Sequence, residues 1–282
     1  MQIFNQKEAF ILFLKKEKEQ NPITGLVPTM GALHQGHLNL VQKAIEENEL
    51  VVVTIFVNPT QFDNKTDLEK YPKTFEKDVE ALKTISDKIV VFAPSTEGIY
   101  DNQVTSEKFD FDGLEYAMEG KFRTGHFDGV GTIVKKLLEI VGPTNAYFGE
   151  KDFQQLQIIK KLVEKNHIPV NIIGCPISRE KNGLAMSSRN ERLPDALRKE
   201  AGFIYQTLLH AKKKFGTESA LDTINWIKEQ FELNPNFSLE YAEITNEKTL
   251  KPVKTKEKNK DYRLFVAVYA NDIRLIDNIA LN

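Results

Sequence analysis

The stretch Pro28-Thr29-Met30-Gly31-Ala32-Leu33-His34-Gln35-Gly36-His37 carries the strongest chemical signal in the chain. Two histidines stand at i and i+3 with a glycine between them. They lie where an apolar run, Ile23 to Val27, gives way to the helical spacing Leu38, Val41, Ile45. A strand that ends in a glycine-bearing loop and opens into a helix suits an anion. The first N–H groups of the helix and the positive end of its dipole both favour phosphate. The spacing puts His34 and His37 on one face of the first turn. Two imidazoles there can donate to phosphate oxygens and stabilise charge that grows as a phosphorus–oxygen bond breaks. On its own H-x-G-H is a weak motif; its weight comes from this setting.

The elements that must position these residues alternate. Ile23–Val27, Leu50–Val57, Lys88–Phe92, Ala146–Phe148 and Val170–Gly174 read as strands. Lys7–Lys18, His37–Glu47, Thr74–Ser86, Phe127–Val141 and Asp152–Asn166 read as helices. Leu50–Val57 is almost continuously apolar, as in a parallel strand covered on both faces. The alternation predicts an α/β fold with a doubly wound parallel sheet. After about residue 177 the pattern changes to two successive helices, Leu193–Phe215 and Glu218–Phe231, then strands Leu239–Thr245, Tyr262–Tyr269 and Ile273–Ile279. Asn271-Asp272 marks a hairpin turn between the last two. The expected division is residues 1–177 as a nucleotide- and substrate-binding domain and 178–282 as a smaller α+β domain.

Polar and glycine-bearing clusters follow the strands at their carboxyl ends, where open parallel sheets bind ligands. After Val27 comes the histidine loop, and after Val57 comes Asn58-Pro59-Thr60-Gln61-Phe62. After Phe148 comes Gly149-Glu150-Lys151-Asp152-Phe153-Gln154-Gln155. After Gly174 the chain reaches Ser178 and then Met186-Ser187-Ser188-Arg189. Lys151 suits a phosphate as a point charge. Ser187, Ser188 and Arg189 offer hydroxyls and a guanidinium fork, which suit a polyphosphate. Asn58, Gln61 and Gln155 are amides, which both donate and accept, and so suit a small hydroxylated acid. Gln155 also fits a helix-capping role.

Bulk properties narrow the class. The chain has 282 residues, 41% hydrophobic, with a formal net charge of −2. That balance gives no field for nucleic acid or an anionic membrane. No apolar run is long enough to cross a bilayer. The single cysteine, Cys175, allows no internal disulfide and fits a reducing cytoplasm. It reads as a small core residue. The lysine-rich stretch Lys248–Lys260 reads as a solvated loop. No His, Asp or Glu set has metal-ligand spacing.

Taken in order, PTMGALHQGH (28–37), FVNPTQF (56–62), EGKFRTGHFDGVGTIVKKL (119–137), FGEKDFQQL (148–156) and NGLAMSSRN (182–190) closely resemble the pantothenate synthetase family. These are AMP-forming pantoate–β-alanine ligases among the HIGH-signature nucleotidyltransferases. The resemblance implies a Rossmann-like domain, a C-terminal lid domain and two chemical steps. Pantoate carboxylate attacks the α-phosphorus of ATP, giving pantoyl adenylate and pyrophosphate. The β-alanine amine then attacks the activated carbonyl and releases AMP. The resemblance implies ATP as a substrate carrying Mg²⁺ on its phosphates, no organic cofactor, and a cytoplasmic homodimer.

By the same resemblance Met30, Gly31, Ala32, Leu33, His34, Gln35, Gly36 and His37 line the ATP site, with His37 and His34 as its catalytic pair. Gly149, Glu150, Lys151, Asp152, Ser178 (through its backbone), Met186, Ser187, Ser188 and Arg189 complete it. Met186–Arg189 resembles the mobile second signature of the superfamily. Gln61 and Gln155, with Asn58, hold pantoate, and Gln61 also meets β-alanine. The loop from Asp63 to Tyr71 is a candidate gate against water. Glu119, Arg123 and His126 fit the family string, although Thr124 stands where many members carry proline. Arg123 and His126 are expected to serve a subunit contact or the fold of their loop rather than catalysis. Two other readings remain: another HIGH-signature nucleotidyltransferase, and a non-catalytic nucleotide-binding module. The amides weigh against the first, since a phosphate acceptor more often meets Arg or Lys. Both histidines, Lys151 and the Ser-Ser-Arg string weigh against the second.

Overall fold

A computed structural model describes residues 1–62, 65–101 and 103–282. The chain divides into two compact units. The first comprises residues 1–150 and 155–176. In order it runs β1 (Gln2–Phe4), α1 (Lys7–Gln20), β2 (Thr24–Thr29), α2 (Gln35–Glu47), β3 (Leu50–Ile55), α3 (Lys65–Glu69), α4 (Phe75–Lys83), β4 (Val90–Phe92), α5 (Thr96–Tyr100), α6 (Glu119–Phe122), α7 (His126–Val141), β5 (Asn145–Gly149), most of α8 (Phe153–Lys165) and β6 (Asn171–Cys175).

All six strands are parallel, in the order β1-β4-β3-β2-β5-β6. Leu50, Val51, Val52, Val53 and Thr54 of β3 are all buried, as a strand covered on both faces requires. From β2 the chain builds outward through β3 to β4, then returns to the other side of β2 for β5 and β6. The strand order therefore reverses between β2 and β5, the switch point where such sheets bind ligands. The β2–β5 pairing extends only over Gly25 and Leu26, although β2 continues to Thr29 and β5 to Gly149. Pro28 has no N–H to give to that ladder. The two strands thus leave their carboxyl ends unpaired with each other at the switch point.

Local chemistry sets the helix limits. In α7 the apolar positions Phe127, Val130, Val134, Leu137, Leu138 and Val141 form one buried stripe. The helix stops at Gly142, in the left-handed region at φ 53°, whose N–H reaches the Leu138 carbonyl at 2.7 Å. Lys18 Nζ donates to the Val141 and Gly142 carbonyls at 2.6 Å each. β1 and the short helices α3, α5 and α6 were not expected from the sequence pattern.

Cys175 closes β6 and is buried, packed with Val27, Val51 and Val91. Burial pushes its thiol up to about 11. The folded protein is expected to resist a thiol-specific reagent at pH 8, and to titrate one thiol once unfolded in denaturant. Reaction of the native protein at the rate of a free thiol would contradict this.

The second unit comprises residues 151–154 and 177–282. It holds α9 (Asp195–Glu200), α10 (Gly202–Thr217), α11 (Ala220–Glu232), β7 (Ser238–Asn246), β8 (Tyr262–Ala270) and β9 (Ile273–Ala280). The strands form an antiparallel sheet, β7-β8-β9. Leu208, Ile227, Leu264, Val266 and Val268 lie at its buried centre. The β8–β9 turn is Asn271-Asp272, with Asn271 at φ 55°. The single helix expected over Leu193–Phe215 is two helices. At Gly202 a Cβ would lie 2.4 Å from the Asn182 carbonyl oxygen, so the close approach of a distant backbone marks the break.

Candidate active site

The histidine loop leaves β2 through two successive left-handed residues, Gly31 at φ 78° and Ala32 at φ 50°. That conformation is costly for alanine and persists only when its surroundings hold it. Asp78 of α4 does so. Its Oδ2 accepts from the Ala32 N–H at 2.9 Å and its Oδ1 from the Leu33 N–H at 2.8 Å. Oδ1 also accepts from the Thr74 hydroxyl at 3.1 Å. Thr29 steadies the other side: its hydroxyl accepts from the Gly31 N–H at 3.2 Å and donates to the Thr54 carbonyl at 2.7 Å.

Helix α2 begins at Gln35, two residues before the expected start, because His34 is its N-cap. The His34 Nδ1 accepts from the Gly36 N–H at 3.1 Å, and the His37 Nδ1 accepts from the His34 N–H at 3.3 Å. The imidazoles thus form a reciprocal capping box, with ring centroids 4.0 Å apart. Both bonds need an unprotonated Nδ1. Each neutral ring therefore carries its proton on Nε2. Nε2–H is the group each histidine can direct at an anion, and neither ring needs to be cationic to do so.

Gln61 lies in a short 3₁₀ turn, Pro59–Gln61, after β3. Its Oε1 accepts from Asn58 Nδ2 at 3.0 Å, and its Nε2 points at Met30 Sδ at 3.0 Å. The structure thus brings Met30 of the histidine loop to Gln61. Asn58, expected beside pantoate, is enclosed by the protein. That side chain is 1% exposed. Its Nδ2 donates to Gln61 Oε1 and to the Gly129 carbonyl at 3.1 Å. Its Oδ1 accepts from the Tyr100 hydroxyl at 2.5 Å and the Thr60 hydroxyl at 3.1 Å. Two donors and two acceptor positions are all taken by the protein. Asn58 fixes which way the Gln61 amide faces.

Gly149 ends β5 and Glu150 follows, both half-exposed. A side-chain carbon on Gly149 would meet no atom within 4 Å, so this strand end borders open space. Gln155 lies half-buried in the first turn of α8. Of the candidate gate, Asp63 and Asn64 lie outside the described residues. Phe62, just before the gate, and Tyr71, its last residue, meet edge to face at 5.8 Å.

In the second unit, the Lys151 carbonyl accepts from Asn278 Nδ2 at 2.9 Å, and Lys151 Nζ lies 3.7 Å from Asp152. The Ser178 carbonyl accepts from the Met186 N–H at 2.9 Å, which closes a hairpin that turns at Gly183. Arg179 in that hairpin forms a two-pronged pair with Asp277 at 2.6 and 2.9 Å and stacks on Tyr205. Asn190 is buried, and its Nδ2 holds the Ala185 carbonyl and Glu180. Ser187 caps the turn that follows, its hydroxyl accepting from the Arg189 N–H at 3.3 Å. Ser188 is buried, whereas Met186, Ser187 and Arg189 are partly exposed. Among the described residues no three His, Cys, Asp or Glu side chains gather as a metal site. Among the same residues no helix is long and apolar enough to cross a membrane.

Residues 2–280 match the family model described as pantoate-beta-alanine ligase. The chain belongs to the pantoate–β-alanine ligase family. A pantothenate synthetase of Christiangramia forsetii is 56% identical over 282 residues, covering all of both chains. One from Flavobacterium psychrophilum is 57% identical over 281 residues, again at 100% of each. Among solved structures, pantothenate synthetase from Thermus thermophilus superposes with a TM-score of 0.91 at 36% identity, covering 100% of this chain and 99% of that one. The Francisella tularensis pantoate-beta-alanine ligase, complexed with beta-gamma ATP and beta-alanine, gives a TM-score of 0.82 at 36% identity, over 100% and 98% of the chains.

For a pantoate–β-alanine ligase, the residues that sequence reading missed are supports. Asp78 bonds backbone 45 and 46 residues away. Its one local signal was a carboxylate on the buried face of an otherwise apolar stripe, beside Val79 and Leu82. Tyr100 and Gly129, which complete the ring of partners around Asn58, gave no signal at all.

Proposed function

We propose that the chain condenses (R)-pantoate with β-alanine to form pantothenate through a pantoyl-adenylate intermediate, releasing AMP and pyrophosphate. The observation that carries this reading is the imidazole capping box at the start of α2, set beside the switch point of a sheet whose family is pantoate–β-alanine ligase. ATP enters as a substrate with Mg²⁺ on its phosphates.

In the first step a pantoate carboxylate oxygen bonds to the α-phosphorus. The bond to the bridging oxygen breaks, and its electron pair leaves with pyrophosphate. His34 and His37 meet the growing negative charge through their Nε2–H groups. No proton has to leave either ring. In the second step the β-alanine nitrogen bonds to the acyl carbon, AMP leaves with the carbon–oxygen pair, and the amine loses a proton to solvent.

Met30–His37, Gly149, Glu150, Lys151, Asp152, Ser178 and Met186–Arg189 are assigned to the nucleotide. Gln61 and Gln155, with Asn58 near them, are assigned to pantoate, and Gln61 to β-alanine as well. Residues 178–282 are assigned as the lid and Asp63–Tyr71 as the gate. Both roles follow from the need to keep water from a hydrolysable acyl adenylate. The working form is proposed as a cytoplasmic homodimer acting on small molecules.

The direct test is incubation with ATP, Mg²⁺, pantoate and β-alanine. AMP and pantothenate in equal amounts are expected; ADP as the product would refute the reading. The division of the pocket has its own test. Gln155→Ala is expected to raise the KM for pantoate about tenfold, the scale of one lost polar contact, and that for ATP by much less. The reverse order would show that Gln155 serves the nucleotide.

A further inference from the structure

Gln61 is held from a second direction, through its backbone. The His126 ring lies at the start of α7, 6% exposed. Its Nδ1 is 2.8 Å from the Gln61 carbonyl oxygen, and its Nε2 is 3.1 Å from Arg123 NH1. A carbonyl can only accept and a guanidinium can only donate. The two contacts together therefore require a neutral ring with its proton on Nδ1, the opposite tautomer from His34 and His37. Arg123 is in turn 3.8 Å from the buried carboxylate of Glu119. The same helix closes on the turn three residues later. At Gly129 a Cβ would sit 2.2 Å from the Thr60 carbonyl oxygen and 2.7 Å from Gln61 Cα, so only glycine allows this approach.

We propose that His126, backed by Arg123, is a positioning residue for pantoate binding, acting through the Gln61 carbonyl. This rests on the assignment of Gln61 to pantoate. Asn58 sets the direction of the Gln61 amide, and His126 sets the height and tilt of the backbone that carries it. Arg123 selects the tautomer that can donate. The Glu119-x-x-x-Arg123-x-x-His126 string is thus a relay that ends at a substrate contact. An error of about 1 Å in the Gln61 carbonyl is carried to its amide, and misplacement on that scale matters at a reacting site.

The test compares His126→Ala, His126→Asn and His126→Gln, with Gln61→Ala and the double variant Gln61→Ala/His126→Ala. KM for pantoate, KM for ATP, kcat and thermal midpoint are measured on the full chain. His126→Ala is expected to raise the pantoate KM about tenfold, the scale of one lost buried hydrogen bond, with the ATP KM changed less than about twofold. Asparagine places an amide N–H near the position of Nδ1 and is expected to recover most of that loss. Glutamine reaches toward the position of Nε2 and is not. The double variant is expected to bind pantoate no worse than Gln61→Ala, because the relay then has nothing to position.

Asparagine and glutamine variants that behave alike, or pantoate and ATP constants that move together with a falling midpoint, would reduce His126 to a structural residue and overturn the proposal. Should His126→Ala not fold, the Asn and Gln pair still decides. An unchanged pantoate KM in Gln61→Ala would overturn the proposal by a different route, since the assignment of Gln61 itself would then fail.

Discussion

Replacing His37 by alanine is expected to slow adenylate formation about 10²–10³-fold, the scale for removing one donor aimed at transition-state charge. The reason lies in the division of labour within the ring. Nδ1 accepts from the His34 N–H, and the proposed role at the phosphates falls to Nε2–H. Two substitutions separate these jobs. His37→Asn keeps an acceptor near Nδ1 and loses the distal N–H, so the helix start survives while the rate falls. His37→Gln places an amide N–H near the position of Nε2 and recovers part of the rate. The readouts are pantoate-dependent pyrophosphate exchange, for the chemistry, and the thermal midpoint, for the cap. An asparagine variant as fast as the parent would show that His37 is only a capping residue. Loss of the cap costs about 1 kcal/mol in stability, too little to explain a rate effect of this size.

The second large effect is expected at Asp78. Its carboxylate holds two consecutive N–H groups of a loop that passes through left-handed backbone at Gly31 and Ala32. Hydrogen bonds to a charged acceptor are worth about 1.5–3 kcal/mol each, discounted where water can replace them. Asp78→Ala is therefore expected to lose about 2–4 kcal/mol, read as a fall in thermal midpoint of roughly 5–15 °C. The ATP KM should rise about tenfold or more, because the histidine box hangs from this loop. Asp78→Asn keeps one acceptor oxygen and should fall between the two. A variant with unchanged midpoint and unchanged ATP KM would show that the loop holds its shape without Asp78.

Much of this is legible in the amino-acid sequence. β3 and β4 announce themselves as β-branched apolar runs, and the motifs fall at strand carboxyl ends because loops there carry the polar residues. What stayed hidden was long-range. The strand order depends on crossovers, so the reversal between β2 and β5 could be expected in kind but not placed. β1 is three residues long, two of them exposed, and has no pattern to read. The candidate site residues are visible by type, since histidines, amides and a Ser-Ser-Arg string are rare in such company. Their supports are not. That Tyr100 and Gly129 hold the Asn58 amide has no trace in the local sequence. His126 looks like a loop residue until its ring is found against the carbonyl of Gln61, 65 positions earlier.

The most direct measurement is exchange of labelled pyrophosphate into ATP with pantoate present and β-alanine absent. Formation of an acyl adenylate predicts rapid exchange that needs pantoate, needs no nucleotide monophosphate, and collapses in His37→Ala. Exchange that requires β-alanine, or that proceeds without pantoate, would contradict the account.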